Sequence, residues 1–275
     1  MKEVISCSRR TDIPAFYYDW LQEGLSRGEV VVANPWNGAK RLVDLRPEAV
    51  HSICLWSRDY RRLLDDPGEL RHYHLYFGLT ITGLPRALEP GTPEPEVAVG
   101  QAATLAQRYG GEVVLWRFDP LLVGEGPDGQ TITVGERLAG FRQLASALAA
   151  PGIRRCTVSL YQPYRKAQQR VAAAGWRLAA PDGSELEQLI RGLKQTAAEY
   201  GLSLQSCATA LLAGNGLPAG RCIDGYRLEQ LFGPGVSQAR DRGQRADCCC
   251  TKSIDIGSYR QVCRHGCLYC YARPV

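Results

Sequence analysis

The residues best suited to chemistry lie in one run, Cys263-Arg264-His265-Gly266-Cys267-Leu268-Tyr269-Cys270. Its three thiols have three and then two residues between them, with an aromatic before the last. Thiolate is the usual protein ligand of iron–sulfur clusters, so Cys263, Cys267 and Cys270 can hold three corners of a [4Fe–4S] cubane from one short loop. The fourth iron then lacks a ligand from the motif and is open to a small molecule, as the vacant position of a catalytic zinc is. His265, between two of the thiols, reads as a solvent-facing loop residue.

Cysteines are concentrated in the same part of the chain. Eight of the eleven lie from Cys207 onward. Cys248 or Cys250, with Cys207 and Cys222, could hold a second iron–sulfur cluster. One of them could instead be the fourth ligand of the first cluster, which would make a non-catalytic electron-transfer or redox-sensing protein. A third arrangement is a zinc site built from Cys267, Cys270, Cys248 and Cys250. Zinc needs neither the third cysteine at 263 nor the aromatic at 269, so the spacing favours iron–sulfur.

Cys-x3-Cys-x2-Cys with Tyr269 before the last thiol and Tyr271-Ala272 after it resembles the signature of radical S-adenosylmethionine (SAM) enzymes. That resemblance implies a [4Fe–4S] cluster whose open iron chelates SAM and cleaves it reductively to a deoxyadenosyl radical. It also implies a partial (β/α) barrel and an electron donor such as a ferredoxin or flavodoxin. In that family the motif lies near the start of the barrel, so its late position here implies circular permutation. Phe77 to Pro90 resembles a strand and loop of spore photoproduct lyase-like members. Ser8-Arg9-Arg10-Thr11-Asp12-Ile13-Pro14, Trp116-Arg117-Phe118-Asp119-Pro120 and the cysteine tail together resemble the bacterial DUF1848 family along almost the whole chain.

Composition bounds the rest. The 275 residues are 45% hydrophobic and 22% charged, ordinary for a globular chain able to bury one large core. No apolar run has the length of a membrane span, and the first residues have no export-signal pattern, so the sequence reads as cytoplasmic. A reducing compartment makes a disulfide framework a poor account of the thiols. A net charge of +5, carried mostly by arginine, forms no dense basic stripe, and nucleic acid is not favoured as a partner.

The elements that must position the thiols alternate in type. Strands are expected at 2–8, 30–33, 52–56, 76–82, 112–118, 155–161 and 202–206, with a short extra strand at 41–45. Helices are expected at 15–27, 59–64, 96–109, 134–149, 164–174 and 184–200, the last capped by Ser184, and a turn at 34–38. This alternation predicts an α/β fold with parallel βαβ units, a partial TIM-like barrel over 1–220 with a cysteine-rich cap, 221–275, on its mouth. A doubly wound sheet is the competing architecture.

In a barrel, ligand groups sit beyond the carboxyl ends of the strands. That rule places Arg9, Thr11 and Asp12 at a SAM or substrate rim, with Thr80 and Thr82 on one strand face. Arg117 and Asp119 are the candidate catalytic pair, since burying either without a partner is costly. They could meet each other, a ligand carboxylate or a ribose, or form a structural salt bridge.

Overall fold

The computed structural model describes residues 1–34 and 37–272. The strands are β1 (Glu3–Cys7), β2 (Glu29–Ala33), β3 (Lys40–Asp44), β4 (Val50–Ser57), β5 (Leu75–Thr80), β6 (Val114–Arg117), β7 (Val123–Glu125), β8 (Thr131–Ile132), β9 (Arg155–Val158), β10 (Arg177–Ala179), β11 (Ser203–Ser206) and β12 (Ile254–Asp255). Seven of them form one parallel sheet in the order β11-β9-β6-β5-β4-β1-β12. The central strands are buried on both faces, and all eight residues of β4 are buried. A strand covered on both sides gains from a continuous apolar run, which is what Ile53-Cys54-Leu55-Trp56 supplies.

The sheet is laid down in one direction for most of the chain. From β1 to β11 each strand lies beside its predecessor in the sheet, and β12 lies on the far side of β1. No direct pairing joins β11 to β12; the segment between them bridges the gap. Ser206 pairs with Ala219, and the Thr251 amide donates to the Ile223 carbonyl at 3.0 Å.

Three expectations are corrected. The run Val30-Val31-Val32 is not in the main sheet; β2 and β3 form a separate antiparallel hairpin. A β-branched run satisfies either placement, and Val31 at 57% exposed shows that one face is uncovered. β5 ends at Thr80, so Thr82 lies in the following loop. The helix Gly183–Glu199 begins after Asp182, so Ser184 lies inside its first turn and is not its cap. Pro35 and Trp36 of the turn expected at 34–38 lie outside the described residues.

Helices Pro95–Tyr109, Val134–Ala149 and Gly183–Glu199 supply apolar stripes to the core. Thr133 and Glu136 form a reciprocal capping box on the second, which fixes where it starts. Its Phe141 stacks on Trp116 with ring centroids 4.9 Å apart, while Phe118 meets Phe141 edge-on at 5.1 Å. The same core runs unbroken into the tail through Ile223, Val236, Cys250 and Ile256. A smaller antiparallel sheet, β10-β7-β8, flanks a second cluster that includes Leu88, Trp176, Cys267 and Tyr269. Among the described residues no helix is long and apolar enough to cross a membrane.

Phe141→Ala should destabilise the chain by about 3–5 kcal/mol, the range for deleting a buried aromatic. Urea unfolding followed by far-ultraviolet circular dichroism checks this.

Candidate functional site

β1 and β4 end side by side, so the loops leaving them are neighbours. Asp12 lies in the loop after β1 and caps the helix Ile13–Phe16, accepting from the Ala15 amide at 3.0 Å. Its carboxylate also accepts from Ser57 Oγ at 2.7 Å and from the Arg58 amide at 2.9 Å. The remaining partner is His265 Nε2, at 2.8 Å. His265 Nδ1 is 2.9 Å from the Gly91 carbonyl, so both ring nitrogens face oxygens. His265 is therefore not solvent-facing. It is 3% exposed and ties the cysteine loop to the loop after β1.

The other residue between thiols is held by a second carboxylate. The Tyr269 hydroxyl donates to Glu89 and accepts from Arg58 Nη2 at 2.6 Å. Arg58 lies 3.0 Å from Glu89, and Thr82 Oγ1 donates to the same carboxylate at 2.8 Å. Burial alone would lower the Arg58 pKa, but Glu89, Tyr269, Cys267 and Cys270 together hold it well above its ordinary value. The guanidinium thus stays charged beside two of the motif thiols.

The proline-rich loop after β5 is the seat of this arrangement. Its Gly91 donates to the His265 carbonyl at 2.9 Å, and Leu268 donates to the Leu88 carbonyl at 2.9 Å. A Cβ on Gly91 would lie 2.6 Å from the Arg264 carbonyl oxygen, so only glycine permits the approach.

A cavity of about 820 Å³ opens beside this loop, near the upper end of the usual range for small-molecule sites. Cys263, Cys267 and Cys270 line it, and so do Arg9, Thr11 and Thr80. Arg117, the register partner of Thr80, and Asp119 line it as well, paired at 2.5 Å, with Asp119 also accepting from Ser159. Among the described residues, Arg9 Nη1, Thr11 Oγ1 and Arg117 Nε are buried without a hydrogen-bond partner. Burial pushes the Cys263 thiol up to about 11 and raises Cys267 and Cys270 as well. A cationic or metal partner would offset that cost, because it favours the thiolate.

A family model for the domain of unknown function DUF1848 matches residues 4–272. The chain belongs to that family. No curated protein matches the DUF1848 chain.

The remaining predicted ligands of this DUF1848 member converge elsewhere on the cavity wall. Cys207, just past β11, has its sulfur 3.5 Å from that of Cys222. Cys250 accepts from the Ile223 amide at 3.5 Å, and Cys248 lines the cavity with it. All eleven cysteines are free thiols. Among the described residues no group of three or more His, Cys, Asp or Glu side chains is placed to hold a metal ion as it stands.

Two predicted binding residues have their side chains committed to protein partners. Asp12 spends both oxygens on the contacts above, and Thr82 supports Glu89 away from the cavity. Three further residues carry weight, of which sequence reasoning placed Arg58 at the strand-end rim without a role and missed Glu89 and Asp255. Glu89 is an acid inside an apolar, proline-rich loop, and Arg58 follows a buried strand. Asp255 of β12 accepts from Ser6 Oγ at 2.9 Å, Ser8 Oγ at 2.7 Å and the Arg9 amide at 2.8 Å.

Glu89→Ala strands the Arg58 cation in the interior and should cost about 3–5 kcal/mol. Glu94→Ala, which breaks an exposed pair with Arg86 at 3.3 Å, should change stability little. Chemical denaturation of the two variants in parallel checks the contrast.

Proposed function

We propose that this chain is an iron–sulfur enzyme of radical SAM type, with Cys263, Cys267 and Cys270 as the ligands of a [4Fe–4S] cluster. The observation that carries the reading is the placement of all three motif thiols on the wall of one large cavity that also holds unpartnered buried donors. A loop that served only to bind a structural ion would need neither feature.

Sheet order supports the same reading. Counted from β12, the seven strands lie side by side in unbroken succession, β12-β1-β4-β5-β6-β9-β11. The cysteine loop leaves the carboxyl end of the first of these. Such a succession supports an incomplete β/α barrel with its motif after the first strand and that strand moved to the other end of the chain.

When bound, the cluster and SAM together supply reductive cleavage of the sulfonium. The protein's own part is electrostatic and positional. Arg58 offsets thiolate charge at Cys267 and Cys270, while His265 and Tyr269 fix the path of the loop between them. Arg9, Thr11 and Thr80 line the region assigned to SAM. Arg117, oriented by Asp119 and stacked 5.4 Å from the Trp56 ring, is assigned to the substrate or ribose side.

Anaerobic reconstitution with iron and sulfide, followed by electron paramagnetic resonance of the reduced protein, tests this. Added SAM should change the spectrum, and dithionite with SAM should release 5′-deoxyadenosine. Cys267→Ala should abolish both. A reduced spectrum indifferent to SAM, with no deoxyadenosine, would instead favour a carrier of electrons or a redox sensor. Arg117→Lys keeps the charge but loses the planar fork, and should weaken turnover while leaving the cluster spectrum intact.

A further inference from the structure

We propose that Cys207, Cys222, Cys248 and Cys250 form a second iron–sulfur site, ligated entirely by protein and distinct from the loop of Cys263, Cys267 and Cys270. The four thiols come from three separate stretches of chain and meet where the main sheet is open, between β11 and β12. Four soft donors brought together from such distances in sequence are the ligand set of an iron–sulfur or zinc centre.

The backbone around them is fixed before any metal is considered. The Ser206 amide donates to the Pro218 carbonyl at 2.8 Å, and Gly220 donates back to Ser206 at 2.7 Å. These bonds hold the segment carrying Cys222 against the end of β11. On the other side Gly225 donates to Thr251 Oγ1 at 2.9 Å, and Arg240 Nε to the Cys248 carbonyl at 2.9 Å. The Ile223 amide pointing at Cys250 Sγ is the kind of N–H···S contact that tunes cluster potentials.

Charge is matched as well. Arg9 lies in the field of Cys250 and Cys248, and Arg117 in that of Cys222 and Cys207. Two guanidiniums thus flank a group that would become strongly anionic on deprotonation. Cys249 is outside the set, since its sulfur contacts the Asp247 carbonyl at 3.8 Å. Cys7, Cys54 and Cys156 are inside or beside core strands and are also excluded.

Sulfur contacts join Cys207 to Cys222, Cys222 to Cys250 and Cys250 to Cys248. A lone tetrahedral ion requires its four sulfurs to be mutually equidistant, about 3.8 Å apart for bonds of about 2.3 Å. A multi-iron cluster distributes its thiolates over several metals and holds them wider apart than a lone ion does. The thiols open around the inorganic core by rotation of their side chains on this fixed backbone. With four protein thiolates such a centre has no vacant iron, so SAM would not coordinate to it.

The test uses the full chain with Cys263→Ala, Cys267→Ala and Cys270→Ala combined. After anaerobic reconstitution this variant should retain iron and sulfide in equal amounts with visible charge-transfer absorption. Adding Cys207→Ser and Cys222→Ser should remove both. In the unsubstituted, loaded protein, alkylation mapped by mass spectrometry should modify Cys249 and spare Cys207, Cys222, Cys248 and Cys250, a readout that needs no variant to fold. A folded triple variant without iron and sulfide would overturn the proposal. So would zinc as its only metal, a Cys207–Cys222 disulfide, or alkylation of the four as fast as Cys249. Retained iron in the triple variant alongside a wild-type spectrum indifferent to SAM would sink the preceding reading and leave this one standing.

Discussion

A loop with almost no regular structure of its own has to be held rigid over the ends of parallel strands. Two buried carboxylates meet that constraint. Asp12 and Glu89 each accept several donors, and each takes one from a side chain lying between the motif thiols. Neither acid is costly to bury, because each carboxylate is hydrogen-bonded by several donors and Glu89 is also paired with a guanidinium. The loop after β5 adds the backbone half of the clamp through Gly91 and Leu88. Thiol position therefore depends on residues that need never touch a ligand.

The same geometry assigns different work to residues of similar type. Arg9, Arg58 and Arg117 are all arginines beyond strand ends, and all lie near thiols. Arg58 is enclosed by Glu89 and Tyr269 and serves the motif loop. Arg9 is fastened by Ser253 at 2.8 Å and lies 3.6 Å from both Asp241 and Asp255. Arg117 is turned by Asp119 across Trp56. Arg9 and Arg117 each retain a buried N–H without a partner. Unsatisfied buried donors are uncommon in folded chains, and these two belong to side chains that line the cavity.

Much of this was legible in the sequence because it rests on local signals. The spacing of Cys263, Cys267 and Cys270 marked the loop, and the buried runs at 52–56 and 76–80 marked central strands. The Arg117–Asp119 pair announced itself as charge within an apolar strand. What escaped reading depends on partners far away in the chain. Nothing near His265 shows that Asp12 waits for it, and a single acid at 89 looks like any loop residue. β12 is two residues long, too short for any periodicity, and β7, β8 and β10 are scarcely longer. The valines of β2 fit a hairpin and a core strand equally well, and only the covering of their faces decides.

Asp12 and His265 are 253 residues apart. Joining points so distant carries an entropic cost that grows only with the logarithm of the separation, about 5 kcal/mol here. The pairing of Ile5 with Ile254 and Ser6 with Asp255 shares that cost, since once those strands align only about fifteen residues, counting both arms, remain to be closed. Docking of the cysteine loop is thus coupled to the arrival of β12 at the sheet edge, a step dominated by non-local contacts and slow by its topology. Until then the thiols are in water, open to oxidants and stray ions. The interval between synthesis and docking is therefore when this protein is most exposed to losing the chemistry its fold is built to shelter.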